Sequence, residues 1–189
     1  MKNKKCVLNV GGGPSRNLPP YYDNWEQHLL DIDKNVNPDI CCDARELQIQ
    51  DVYDAVYTSH TLEHFYKHEI PLILSNIYNC LKNEGTLEIH VPDIKDLISR
   101  IGTSSLDIHD VYYRLSDGNP ITYHDVLYGW NYAMSNGNLY YAHKCGFTPI
   151  SLYNNLAVAG FKDITIQTNN GNICSDRKST RLNSSHITI

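Results

Sequence analysis

Apolar positions over the first hundred residues follow two alternating rhythms. Short apolar runs at 6–10, 28–33, 40–42, 53–60 and 86–92 have the length and bounding turn residues of buried strands. Between the fourth and fifth runs, Ile70, Ile73, Leu74, Ile77, Tyr78 and Leu81 recur along one helical face. This spacing predicts a helix over 69–81, with Pro71 in its first turn and Lys82, Asn83 and Gly85 as its stop. Asp93 is placed to cap a short helix over 97–101. Strands alternating with helices imply an α/β fold with a doubly wound, mostly parallel sheet.

The rhythm weakens over 104–141, where Tyr112, Tyr113, Tyr123, Tyr128, Trp130 and further aromatic residues gather. The chain holds 14 Tyr against 3 Phe. Tyrosine joins an apolar body to a polar handle, which suits a half-wet cleft. The stretch reads as an inserted helical segment folded over the strand ends, a lid or substrate wall. Regularity returns with Thr148 as N-cap, Pro149 as first helical residue and Gly160 past the helix end. A strand over 162–168 follows. From residue 173 the chain is polar and without period, so disorder is expected there. The run 176–186 also resembles translated sequencing-adapter read-through. The expected organisation is one domain over 1–172, with the insertion at 104–141 and a non-native tail over 173–189.

Charge and cysteine content narrow the classes. The net charge is −5, and the tail from 173 holds three cations and one acid, so residues 1–172 carry −7. Such a body is not built to hold a phosphate backbone, and no nucleic-acid partner is expected. The six cysteines form no Cys-x-x-Cys pair. They read as free thiols of a reducing cytoplasm. No stretch approaches the ~20 apolar residues of a membrane span, and no membrane partner is expected.

The first strand runs straight into Gly11, Gly12, Gly13 and Pro14. Glycines at the carboxyl end of a first parallel strand let a ligand approach the backbone. The dinucleotide fingerprint would need a third glycine and then a helix. Arg16 occupies that glycine position, and Pro19 and Pro20 argue against the helix. A ligand without phosphates suits this turn better. Asp31 ends the second strand, where a carboxylate can accept from both ribose hydroxyls of a nucleoside. Asp43 ends the third, where it can accept from an exocyclic amine or cap a turn.

His60, His64 and His68 repeat with Glu63 between them. The order is H-T-L-E-H rather than the zincin H-E-x-x-H, and His60 belongs to a strand end, so no metal is expected. His60 and His64 are candidate general bases, because imidazole titrates near neutrality. The alternative is that they hold the loop through hydrogen bonds. Glu63, Asp93, His143 and Lys144 are candidates for reaching a substrate.

The ordered set LNVGGGP, LLDID, CCDARELQ, YDAVYTSHTLEHF and LKNEGTLEIHVPD resembles the class I S-adenosylmethionine-dependent methyltransferases, and most nearly their type 11-like members. The resemblance covers residues 5–101, and the helix and strand after residue 142 also look like theirs. It implies a Rossmann-like fold, S-adenosyl-L-methionine as cofactor, and methyl transfer to a small-molecule acceptor. It places Gly11 and Gly13 beside the methionine part, Asp31 on the ribose, and Asp43 with the Ala44 backbone on the adenine. Ser59 and His60 fall beside the transferring methyl. Asn9 stands where many relatives are acidic. The antiparallel last strand of such sheets would fall in the tail, so an incomplete C-terminal sheet edge is expected. A nicotinamide-dependent oxidoreductase and a non-catalytic binding module of the same fold are the competing readings.

Overall fold

A computed structural model describes residues 4–178. Five strands follow in order: β1 (Cys6–Val10), β2 (Glu26–Asp31), β3 (Ile40–Cys41), β4 (Tyr53–Ser59) and β5 (Leu81–Pro92). Two more, β8 (Lys162–Asn169) and β9 (Asn172–Lys178), complete one seven-stranded sheet of order β3-β2-β1-β4-β5-β9-β8. Neighbours from β3 to β5 are parallel, whereas β9 is antiparallel to both β5 and β8. The strand order reverses between β1 and β4, which opens a crevice at their carboxyl ends.

One sheet face carries the main core. Helix α1 (Ile70–Cys80) buries Ile70, Ile73, Leu74 and Ile77 there, and α5 (Pro149–Val158) adds Leu152 and Leu156. These side chains meet Leu8, Val56, Leu87 and Ile89 of the strands. The stop after α1 differs from the expected glycine cap. Leu81 turns directly extended, and Glu84 rather than Gly85 takes positive φ, at 62°.

The other face is covered differently. No long helix joins β1 to β2, as the two prolines foretell; a single 3-10 turn, Pro20–Tyr22, does so. Tyr22 packs on Val7 and Ala55, with Leu18, Trp25 and Tyr57 around them.

After β5, Asp93 caps α2 (Ile94–Thr103), accepting from the backbone N–H of Lys95 and Asp96. The insertion is more mixed than the expected helical segment. It begins with a hairpin of β6 (Val111–Arg114) and β7 (Pro120–Thr122), then continues with α3 (Tyr123–Tyr128) and α4 (Asn131–Ser135). The Tyr112 hydroxyl donates to the Asn170 carbonyl at 2.9 Å, tying the hairpin to the β8–β9 turn.

The sheet edge expected to be incomplete is instead paired. β9 registers with β5 from Asn172↔Pro92 to Lys178↔Thr86. Its lack of period has a physical reason. Hydrogen bonds come from strands on both sides, and buried Ile173 and Ser175 suffice for the core face. Disorder over 173–178 is therefore corrected; residues 179–189 lie outside the described residues.

Candidate active site

The strand ends converge on a cavity of about 230 Å³. Its walls include Gly11, Gly13, Asp31, Asp43, Ala44 and His60, which the sequence reading also selects. Gly11 and Gly13 take positive φ, 70° and 60°. A Cβ on Gly11 would stand 2.5 Å from the Thr61 side chain, while one on Gly13 would meet open space. The first glycine thus permits close packing of the β1 and β4 ends, and the second presents bare backbone to the cavity. Below them the Asn9 amide nitrogen is buried without a hydrogen-bond partner among the described residues.

Asp31 is fixed by two backbone donors. Oδ1 accepts from Asp33 N at 2.9 Å and Oδ2 from Gly13 N at 3.2 Å. Each oxygen keeps acceptor capacity, so the carboxylate is aimed and still able to take two hydroxyl donors. Asp43 is more occupied. Its Oδ1 accepts from Arg45 N and Nε, and its Oδ2 from an Arg45 terminal nitrogen at 2.6 Å. The Arg45 hydrogen bonds outweigh partial burial and hold the Asp43 carboxyl below its ordinary range. Asp43 is therefore a turn cap as well as a cavity wall. Arg45 continues to Glu69 at the start of α1 and itself lines the cavity; sequence reasoning missed it.

A second cavity of about 690 Å³ lies beside the first. The insertion supplies much of its wall, including Tyr112, Tyr113, Ile121, Asp125 and Trp130. His60, His64 and Tyr141 border both cavities and form the seam between them. His60 continues β4 through a 2.9 Å bond from its N–H to the His90 carbonyl, then takes φ 51°. A left-handed histidine at a strand end is strained backbone at a cavity rim. Thr61, absent from the sequence-based set, locks this corner by donating to the Val10 carbonyl at 3.1 Å.

Glu63 lies beneath the seam and lines neither cavity. It is buried, and neither carboxylate oxygen has a hydrogen-bond partner among the described residues. His60 Nδ1 stands 3.2 Å from Oε1, close enough for an ion pair but without hydrogen-bond geometry. Burial of Glu63 and partial desolvation of the half-exposed His60 favour neutral forms, yet their attraction prevails: His60 is raised and Glu63 lowered from their ordinary pKa values. His143 lines the larger cavity, and burial lowers its pKa. Lys144 lines the smaller one. Asp93 and Ser59 line neither. Asp93 is spent on the α2 cap, and Ser59 follows Ala55 and Tyr57 on the loop-covered face. His68 stacks on Tyr66, outside both cavities.

Among the described residues, no helix is long and apolar enough to cross a membrane. None of the six cysteines is in a disulfide among the described residues.

No curated protein matches this chain significantly in sequence. Solved structures do match its fold. A possible exported protein from Bordetella parapertussis has a TM-score of 0.58 at 14% identity, over 94% of this chain and 63% of that one. A SAM-dependent methyltransferase from Archaeoglobus fulgidus has 0.60 at 16%, over 94% and 87%. Human N-acetylserotonin methyltransferase, in complex with SAM, has 0.59 at 12%, over 93% and 48%. The chain thus spans less than two thirds of the Bordetella and human proteins. A methyltransferase domain family matches residues 1–166. With the strand order and the crevice at its reversal, that match shows that the chain belongs to the methyltransferase domain family, of the class I S-adenosylmethionine-dependent kind.

Proposed function

We propose that this protein transfers a methyl group from S-adenosylmethionine to a small-molecule acceptor held in the larger cavity. The observation that carries the reading is the seam: His60, His64 and Tyr141 face both cavities at once. A transfer enzyme needs two binding spaces that meet at one point. Bound there, the donor supplies an electrophilic methyl on a sulfonium.

The chain's own residues then have distinct tasks. Asp31, aimed by Gly13 and Asp33, holds the ribose hydroxyls. The Gly11–Gly13 turn gives the amino-acid moiety a backbone surface. Asp43 and Ala44 border the adenine end, with Arg45 keeping Asp43 ionised. Preorganised alignment of this type supplies roughly 7–11 kcal/mol of barrier lowering. His60 takes the acceptor proton where the acceptor must lose one, and Glu63 positions the imidazole from below. Tyr112, Tyr113 and Trp130 give the acceptor space aromatic walls with polar tips, which suits a small, partly polar molecule. Thiols outside disulfides fit a reducing, cytoplasmic setting, and the acidic body fits a reading without a nucleic-acid partner.

The nicotinamide alternative is disfavoured by the β1–β2 connection. Its 3-10 turn offers no long helix N-terminus for a pyrophosphate, and Arg16 is paired with Asp39 at 2.8 Å. Calorimetric titration with S-adenosylmethionine and with NADH decides between the two. Sulfonium binding alone is expected; nicotinamide binding alone refutes the proposal. Release of S-adenosylhomocysteine across a panel of small acceptors then separates an enzyme from a binding module of the same fold.

A further inference from the structure

Glu63, His64 and His143 form an unusual cluster under the acceptor cavity. One ligand atom from each lies within 4.8 Å of the other two. Sequence spacing links only the first two; the third arrives from 80 residues away. The Glu63 carbonyl brings it in by accepting from Lys144 N at 2.8 Å and Cys145 N at 3.2 Å. The imidazoles of His64 and His143 then stand with ring centroids 4.9 Å apart.

Two features distinguish this cluster from a chance gathering of polar side chains. First, the Glu63 side chain is 2% exposed and both of its oxygens lack hydrogen bonds. A buried carboxylate without such partners is costly unless a cation meets it. His60 stands within ion-pair distance of Oε1, and Oε2 has no hydrogen bond among the described residues. Second, each histidine already has a backbone acceptor for one ring nitrogen. His64 Nδ1 is 3.2 Å from the Ala142 carbonyl, and His143 Nδ1 is 2.9 Å from the Val126 carbonyl. A carbonyl can only accept, so Nδ1 of each neutral ring carries the proton. Each Nε2 then keeps a free lone pair. Carbonyl–histidine pairing of this kind orients metal-bound imidazoles.

We propose that Glu63, His64 and His143 bind one divalent first-row transition-metal ion, with open coordination positions facing the larger cavity. Two imidazole nitrogens and one carboxylate favour zinc or ferrous iron over magnesium, which prefers all-oxygen ligands. Ligand–metal distances of about 2.0–2.2 Å require the three groups to draw together around the ion. His64 and His143 line the cavity, so an oxygen of a bound molecule can complete the coordination sphere. The metal site rests on side-chain geometry and stands or falls separately from methyl transfer.

Metal-stripped protein should be titrated with Zn2+ by calorimetry and with Co2+ by visible absorption. One ion per chain is expected, with cobalt d–d bands and no thiolate charge-transfer band. Glu63→Gln and His143→Gln should each weaken Zn2+ binding by at least about 100-fold, since losing even an outer-shell partner costs 10–100-fold. His68→Gln, which alters an exposed ring outside the cluster, should leave it unchanged. Thermal unfolding identifies any variant that fails to fold, and the wild-type titrations remain decisive in that case. The proposal is overturned by absence of stoichiometric binding, by a thiolate band, or by equal affinity in folded Glu63→Gln and wild-type protein.

Discussion

The two cavities are built from different materials. The smaller is framed by the ends of β1 and β2, the turn after β3, and the corner after β4. Its polar groups are fixed by neighbouring backbone, as with Asp31 on Gly13 and Asp33. The larger is walled mainly by residues between α2 and α5, where the rings of Tyr112, Tyr113, Trp130, Tyr141 and His143 stand among aliphatic side chains and Asp125. β1, β2 and β4, each paired on both sides, make a rigid frame, which suits the invariant donor of the proposed function. A hairpin and two short helices make an adaptable wall, whose side chains can change without disturbing the frame. Under the proposed function, donor and acceptor recognition are thereby separated; among the described residues the two cavities share His60, His64 and Tyr141.

The strongest break should come on the donor side. Gly11→Val places a branched side chain at φ 70° against Thr61. A strained left-handed residue costs about 1–3 kcal/mol before any clash, and the displaced turn should abolish measurable S-adenosylmethionine binding by calorimetry. Retained wild-type affinity would show that this turn is not the donor floor.

At the seam, the two sides should separate kinetically. Loss of a general base costs about 100-fold or more, so His60→Gln should lower kcat by that factor for an acceptor that must lose a proton. The donor dissociation constant should move much less. An equal loss in both would make His60 a donor-binding residue instead.

Asp31→Ala sharpens the donor assignment. A charge-assisted hydrogen bond contributes roughly 1.5–3 kcal/mol, so donor affinity should fall by about 10–100-fold. Unchanged affinity would remove Asp31 from the ribose.

The smallest effect belongs to the insertion. Thr122 caps α3 and forms a reciprocal box with Asp125. Thr122→Ala should cost about 1 kcal/mol and loosen the acceptor wall while leaving donor affinity intact. Acid should act on the same box. Burial would raise the Asp125 pKa, but donors from Thr122 and Asn131 outweigh it and lower it. A depressed carboxyl stabilises the folded form above its unfolded pKa, near 3.9. That contribution is lost as pH falls through the lower folded value. Below about pH 4, amide exchange in 122–131 should rise more in wild type than in Asp125→Asn. Equal acid sensitivity would relieve Asp125 of this role.

Much of the frame was legible because its signals are local. The β1 run, the α1 stripe and the Thr148–Pro149 start each carry their pattern within a dozen residues. The cavity residues Gly11, Gly13, Asp31 and Asp43 follow from strand ends in the same way, and Ala44 from the family resemblance. The remaining features depend on distant partners. His143 reaches Glu63 only because the Glu63 carbonyl pairs with Lys144 and Cys145. Thr61 matters through Val10, and Arg45 through Glu69. Asp93 looked available to a substrate because no local cue separates a ligand-facing carboxylate from a helix cap. β9 was invisible because its burial is conferred by β5 and β8 rather than by its own periodicity.

The place of β9 also sets the order in which the protein can be made. Its residues are translated after every other described strand, yet they lie between β5 and β8. While they remain inside the ribosome, β8 has no strand to join and β5 shows an unpaired side beside Leu87, Ile89 and Val91. The nascent chain must therefore hold its frame half-finished until residue 178 emerges. A ribosome stalled before residue 172 would display a sticky strand edge, the kind of surface that chaperones must shield.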